Sequence, residues 1–124
     1  MYKVLVTGSR EWNDQKTILD ALSDLLRTHQ PSDITVIVGG ARGADKIAKE
    51  IARFLCMNVQ EFPADWDRFN KAAGPIRNAE MVAQKPDICL AFPTASSKGT
   101  IHCMKLAFDA GVPVTEYSPS IEGG

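Results

Sequence analysis

The chain has 124 residues, of which 44% are hydrophobic and 23% charged, the size and make-up of one globular domain with a single core. Its formal net charge of −1 supplies no global field to hold DNA or an anionic membrane, so any anion site must be local. No apolar run reaches the roughly 18 residues of a membrane span, and no charged-then-apolar leader stands ahead of the strand-like residues that begin at Tyr2.

Residues 2–7 read as a buried parallel strand, broken by Gly8-Ser9-Arg10. Asp14 is the expected N-cap of a helix reaching about Thr28, with Ile18, Leu19, Leu22, Leu25 and Leu26 on one face. Pro31-Ser32-Asp33 closes that unit, and residues 34–38 form the second strand. The strand runs into Gly39-Gly40-Ala41-Arg42-Gly43-Ala44-Asp45, a turn followed by a helix start, the local design that brings backbone N–H groups up to an anion. Arg42 stands at the wrong end of the coming helix dipole, which asks for a negative group nearby. The helix continues to about Cys56, and residues 58–62 form a weaker strand at a sheet edge. A polar and aromatic loop over 64–73 follows, of a length that suits a wall or lid. There Trp66 or Phe69 is placed to stack on a base, and Asp65 or Asp67 to accept from ribose hydroxyls. Pro75 suits the first position of the next helix, which carries Arg77, Asn78, Glu80 and Met81 and ends before Pro86. Residues 87–92 are the fourth strand, and 93–100 leave the sheet for a helix ending at Ala110, with Gly111 as its cap. Residues 112–117 are the fifth strand, and 118–124 are expected to be a frayed tail.

Strands alternating with helices predict an α/β fold: a doubly wound parallel sheet of order 3-2-1-4-5, within one domain over 1–117. Its ligand crevice would lie at the C-terminal strand ends, where the order reverses between strands 1 and 4. Four segments meet at that edge, carrying Gly8, Ser9 and Arg10, then Gly39, Gly40, Arg42 and Gly43, then Arg77 and Asn78, then Ser96, Ser97, Lys98, Gly99 and Thr100. Four cations beside helix N-termini repel one another when empty and complement a phosphate when filled. The glycine spacing is neither GxGxxG nor GxxxxGK[ST], so neither a dinucleotide fingerprint nor a P-loop is present. Cys56, Cys89 and Cys103 lack metal-ligand spacing and read as reduced thiols of a cytoplasmic protein, with no metal and no cofactor predicted.

Val6-Thr7-Gly8-Ser9-Arg10, Gly40-Ala41-Arg42-Gly43-Ala44-Asp45, Ala64-Asp65-Trp66 and the run from Ala73 to Met81 together resemble the YspA/cpYpsA-related branch of the SLOG superfamily, found in bacteria and phages. The resemblance runs from the first strand to about Pro113. It implies a Rossmann-like domain that binds nucleotides or nucleotide-derived ligands as a sensor or processing domain, and relatives that are often dimers. The wider superfamily also holds LOG-type phosphoribohydrolases and DprA-type DNA-binding proteins, which supply two alternatives: an N-glycosidic or related nucleotide hydrolase, and a binder of single-stranded DNA. The hydrolases carry PGGxGTxxE after the fourth strand. Here Gly99-Thr100 is retained, the glycine pair is lost, and the glutamate position falls on Cys103, so binding carries over well and hydrolysis poorly. Asp45, Asp65 and Glu80 are the carboxylates that could replace that glutamate. The expected ligand contacts are Gly8, Ser9, Arg10, Gly39, Gly40, Arg42, Gly43, Asp45, Trp66, Arg77, Asn78, Lys98, Gly99 and Thr100. The expected partner is a nucleotide-type small molecule, with no membrane, nucleic acid argued against by the charge balance and sparse aromatics, and a homodimer using Met104 and Phe108.

Overall fold

Strands rich in Val, Ile and Leu without polar alternation need cover on both faces. The computed structural model, which describes residues 1–95 and 97–119, provides it. Strands β1 (Tyr2–Gly8), β2 (Ile34–Gly39), β3 (Asn58–Phe62), β4 (Ile88–Phe92) and β5 (Val114–Glu116) form one sheet in the order β3-β2-β1-β4-β5. Every pairing is parallel, with Val4 beside Val36 on one side and Ile88 on the other. The order and class are those the strand–helix alternation predicts.

The period-2 pleat sorts the strand residues onto two faces. Val4, Val6, Val36, Val38, Leu90 and Phe92 pack with Ile18, Leu22, Ala48 and Ala52 of helices α1 (Gln15–Asp24) and α2 (Ala44–Phe54). Leu5, Ile37 and Cys89 face the other way, onto Met81 of α4 (Ala73–Ala83) and onto Cys103 and Ala107 of α5 (Lys98–Asp109). Asp14 caps α1 as expected, accepting from Thr17 N at 3.2 Å. Phe108, offered above as a contact residue, is 74% exposed. No helix among the described residues is long and apolar enough to cross a membrane.

Several elements differ from expectation. The 64–73 stretch is not a plain loop: it holds the short helix α3 (Trp66–Phe69), capped by Asp65, and a single 3₁₀ turn (Asn70–Ala72). Helix α4 begins at Ala73 rather than at Pro75. None of the first four N–H groups of a helix has an intrahelical acceptor, so proline is tolerated at its third position as well as its first. Helix α5 begins at Lys98, two residues early, and β5 keeps only three residues. Ser96 and the tail residues 120–124 lie outside the described residues.

One crossing fixes the strand-end geometry. The chain leaving β1 passes directly over the start of α2: the Ser9 carbonyl accepts from Ala44 N at 3.1 Å and Trp12 N at 3.2 Å, while Ser9 N donates to Phe92 O at 2.9 Å. Gly43 sits beneath it at φ +75°, where a Cβ would run into the backbone carbonyls of Ser9 and Arg10. With ψ at −129°, that conformation is almost confined to glycine. Gly43→Ala is therefore expected to cost on the order of 3 kcal/mol in urea denaturation. A loss below about 0.5 kcal/mol would show that the crossing is not tightly packed.

Candidate functional site

A cavity of about 610 Å³ opens at the C-terminal edge of the sheet, between the β1 exit, the start of α2, and the facing ends of α3, α4 and α5. The local sequence explains each wall. β1 ends in Gly8 because a Cβ there would meet Ala44 and stand 3.0 Å from the Phe92 carbonyl. Ser9 then turns inward, buried, its Oγ accepting from Thr94 Oγ1 at 2.7 Å and Glu11 N at 3.0 Å. Its own hydroxyl proton is left to donate. Arg10 emerges at the mouth, its guanidinium 5.8 Å from the ring centroid of Trp66, which is 48% exposed.

The N-terminus of α5 forms one end of the cavity. Ser97 occupies the N-cap but makes no capping bond, because its hydroxyl is held by the preceding turn, donating to Thr94 O at 2.7 Å and accepting from Thr94 N at 2.8 Å. Among the described residues no N-cap side chain therefore caps the first-turn N–H groups, and Lys98 is a cation placed against the dipole. A Cβ on Gly99 would find no atom within 4 Å. Thr100, only 4% exposed, lines the cavity with no hydrogen-bond partner for its hydroxyl among the described residues.

The floor comes from α4. Because the helix starts early, Arg77 and Asn78 lie in its second turn, not its first. Asn78 is buried and its amide is fully used by the protein: Oδ1 accepts from Arg77 Nε at 3.0 Å, and Nδ2 donates to Gly99 O and His102 Nδ1, both at 3.2 Å. That pattern fixes the amide orientation and requires His102 to carry its proton on Nε2. Asn78 thus holds Arg77, His102 and the α5 N-terminus in one frame.

Asp45, in the first turn of α2, is 5% exposed and lines the cavity. Burial pushes its carboxyl up to about 6 against the pull of Arg77 and the hydrogen bond from Ala41 N, with Glu61 opposing them. Asp65 and Glu80, the other two carboxylates offered as catalytic, are exposed and do not line the cavity. Asp65 is spent on its helix cap, accepting from Arg68 N at 3.1 Å. Cys103, at the hydrolases' glutamate position, is buried, and burial pushes its thiol up to about 11, leaving no base there.

The cavity gathers Gly8, Ser9, Arg10, Asp45, Trp66, Arg77, Asn78, Lys98, Gly99 and Thr100. Gly39, Gly40, Arg42 and Gly43 lie outside its lining. Gly39 makes room for the Arg77 guanidinium, Gly40 packs on Pro63, Gly43 lies under the crossing, and Arg42 pairs with Glu11 at 3.1 Å on the surface. Ala44 N, the donor an anion would seek at the start of α2, is taken by Ser9 O. Sequence reasoning missed Glu11 and His102 as lining residues. For His102 the signal was its position four residues, about one turn, after Lys98 on one helix face. Among the described residues no cluster of His, Cys, Asp or Glu could hold a metal ion.

A parallel α/β sheet with a cationic cavity at its switch point is a ligand-binding class of fold. Residues 2–69 match the YspA, cpYpsA-related SLOG family. The Gene 61 protein of Mycobacterium phage D29 is 48% identical over 122 residues, covering 94% of this chain and 97% of that protein. The chain belongs to the YspA, cpYpsA-related SLOG family. Its fold is shared by DNA processing protein A (DprA) of Streptococcus pneumoniae, with a TM-score of 0.78 at 18% identity, over 98% of this chain and 52% of that one. DprA of Helicobacter pylori aligns with a TM-score of 0.69 at 17% identity, over 97% of this chain and 66% of that one. The chain therefore spans about half the length of the pneumococcal protein, and at these identities the likeness is one of fold.

The likeness corrects one expectation. Nucleic acid was argued against on net charge, yet the Helicobacter pylori protein of this fold binds single-stranded DNA. A balance near zero does not prevent a local cationic surface, and the strand-end edge carries Arg10, Arg77 and Lys98.

Asp45 yields a pH prediction. Its folded-state value near 6 lies above the ordinary 3.8, so the folded protein holds that proton more tightly than the unfolded chain. Its contribution is fully present below pH 3.8 and is lost as pH rises through 6. Asp45→Asn removes that loss. The variant should gain about 2–3 kcal/mol on wild type between pH 4 and pH 7.5, read from urea midpoints at each pH. Parallel stability curves would contradict it.

Proposed function

We propose that the strand-end cavity binds a nucleotide or nucleotide-derived phosphate ligand. The observation that carries this reading is the convergence of Arg77, Lys98, the N-terminus of α5, whose N-cap makes no capping bond, and the Thr100 hydroxyl on one cavity. A phosphate there receives backbone N–H donors, a bidentate guanidinium and a hydroxyl, in a partly water-excluded site where such bonds are strengthened. Gly99 leaves its path open. At the mouth, the half-exposed Trp66 offers an aromatic face for a base, and Arg10 lies over the same ring. Asp45 is the one catalytic candidate within reach of such a ligand, and with no carboxylate at the Cys103 position binding is the better-supported activity.

A second reading has its own support: the fold shared with a DprA that binds single-stranded DNA. On it, Arg10 and Trp66 would track and stack a strand at the cavity mouth.

The two readings separate in a thermal-shift panel of AMP, ADP-ribose, NAD, nucleoside triphosphates, cyclic dinucleotides and a short oligodeoxynucleotide, on wild type and Arg77→Ala. A ligand at about 100 times its Kd should add roughly 2.7 kcal/mol, several degrees for a domain of this size, and the shift should vanish in Arg77→Ala. If the oligodeoxynucleotide alone shifts wild type, and does so at physiological salt, the DNA reading replaces the nucleotide one. Gly99→Ala should leave the unliganded melting point unchanged or slightly raised while weakening the ligand shift. An undiminished shift would move the ligand away from the α5 N-terminus.

A further inference from the structure

We propose that Asp45 reads the sugar of the ligand, accepting a hydrogen bond from a ribose hydroxyl, so that the cavity selects ribonucleotide derivatives over deoxyribonucleotides. This rests on the nucleotide reading above. Asp45 is nine-tenths buried, and the bond from Ala41 N, at 3.4 Å, reaches only its Oδ2. Its Oδ1 accepts from no described residue. No side-chain polar atom among the described residues is both fully buried and unpartnered, and Asp45 lines the cavity. An ionised carboxylate is an acceptor only. Placed beside a phosphate site it repels the anion, unless the ligand also brings a donor to it.

The sugar is the part of a nucleotide that brings one to this place. Asp45 Oδ2 and the Arg77 guanidinium both crowd the position a side chain on Gly39 would take, so the two groups are neighbours. A phosphate held by Arg77 puts the adjoining pentose next to Asp45, while Trp66 waits for the base farther out at the mouth. A sugar inside a DNA strand has no free hydroxyl to offer.

Calorimetric titration tests this with the four nucleoside 5′-monophosphates and their 2′-deoxy and 3′-deoxy counterparts, on wild type, Asp45→Asn and Asp45→Ala, each checked for folding by circular dichroism. Wild type should bind at least one deoxy analogue about ten- to hundredfold more weakly than its ribonucleotide. In Asp45→Ala that preference should fall below about threefold, with the deoxy analogue bound at least as tightly as by wild type. Equal binding of ribo and deoxy forms by wild type would overturn the proposal and leave the nucleotide reading standing, as would a preference that survives in both variants. Binding of none of the twelve compounds by wild type would overturn both.

Discussion

Everything at the working edge of the molecule depends on one crowded crossing, where Ser9 is tied to the turn ahead of α1, to the start of α2 and to β4 at once. Its carbonyl takes the N–H groups of Trp12 and Ala44, and its own N–H goes to Phe92. The tie is possible because Gly8 and Gly43 have no side chains to hold the layers apart. β1 lies at the centre of the sheet, so this knot sits where the strand order reverses and the crevice opens. Loosening it would move Arg10, Asp45 and the α5 approach together.

The same knot decides how the glycine-rich stretch after β2 is used. Gly39-Gly40-Ala41-Arg42-Gly43 has the look of an anion cradle, but Gly39 makes room for Arg77, Gly43 lies under the crossing, and the first N–H of α2 is bonded to Ser9. The N-terminus of α5, whose N-cap Ser97 makes no capping bond, faces the cavity through Ser97, Lys98 and Gly99. Lys98 and that helix end bring positive potential to the β4–α5 side, while the Arg77 guanidinium neighbours the buried carboxylate of Asp45. That asymmetry suits a ligand with an anionic end and a hydrogen-bond-donating end better than it suits a bare anion.

The architecture was legible because its signals are local. Unbroken β-branched strands, apolar residues at helical spacing and strict alternation of the two lead to the sheet order, and the sheet order leads to the edge where the site lies. Lys98 and Thr100 were expected at this edge because they follow a strand end in the sequence, and Arg77 because of its expected place in the first turn of a helix. What stayed hidden depends on distant partners. That Gly39 makes room for Arg77 cannot be read from either segment, because 37 intervening residues separate them. Asn78 reads as a ligand contact until its amide is seen shared among Arg77, Gly99 and His102. His102 is found through that amide. Net charge, which with the sparse aromatics was the ground for setting nucleic acid aside, is an average that does not register three cations, Arg10, Arg77 and Lys98, brought to one edge.

The most direct test of a nucleotide site at this edge is an amide and indole chemical-shift titration with AMP. The two tryptophans serve as internal reporters: Trp66 is half exposed at the mouth, whereas Trp12 is buried with its indole N–H bonded to Asp14 O at 2.9 Å. Binding in the cavity predicts saturable shifts at Gly99, Thr100, Ser9 and the Trp66 indole, with the Trp12 indole nearly still. Saturable shifts confined to other surfaces, such as the exposed Phe54 or Phe108 faces, would contradict it.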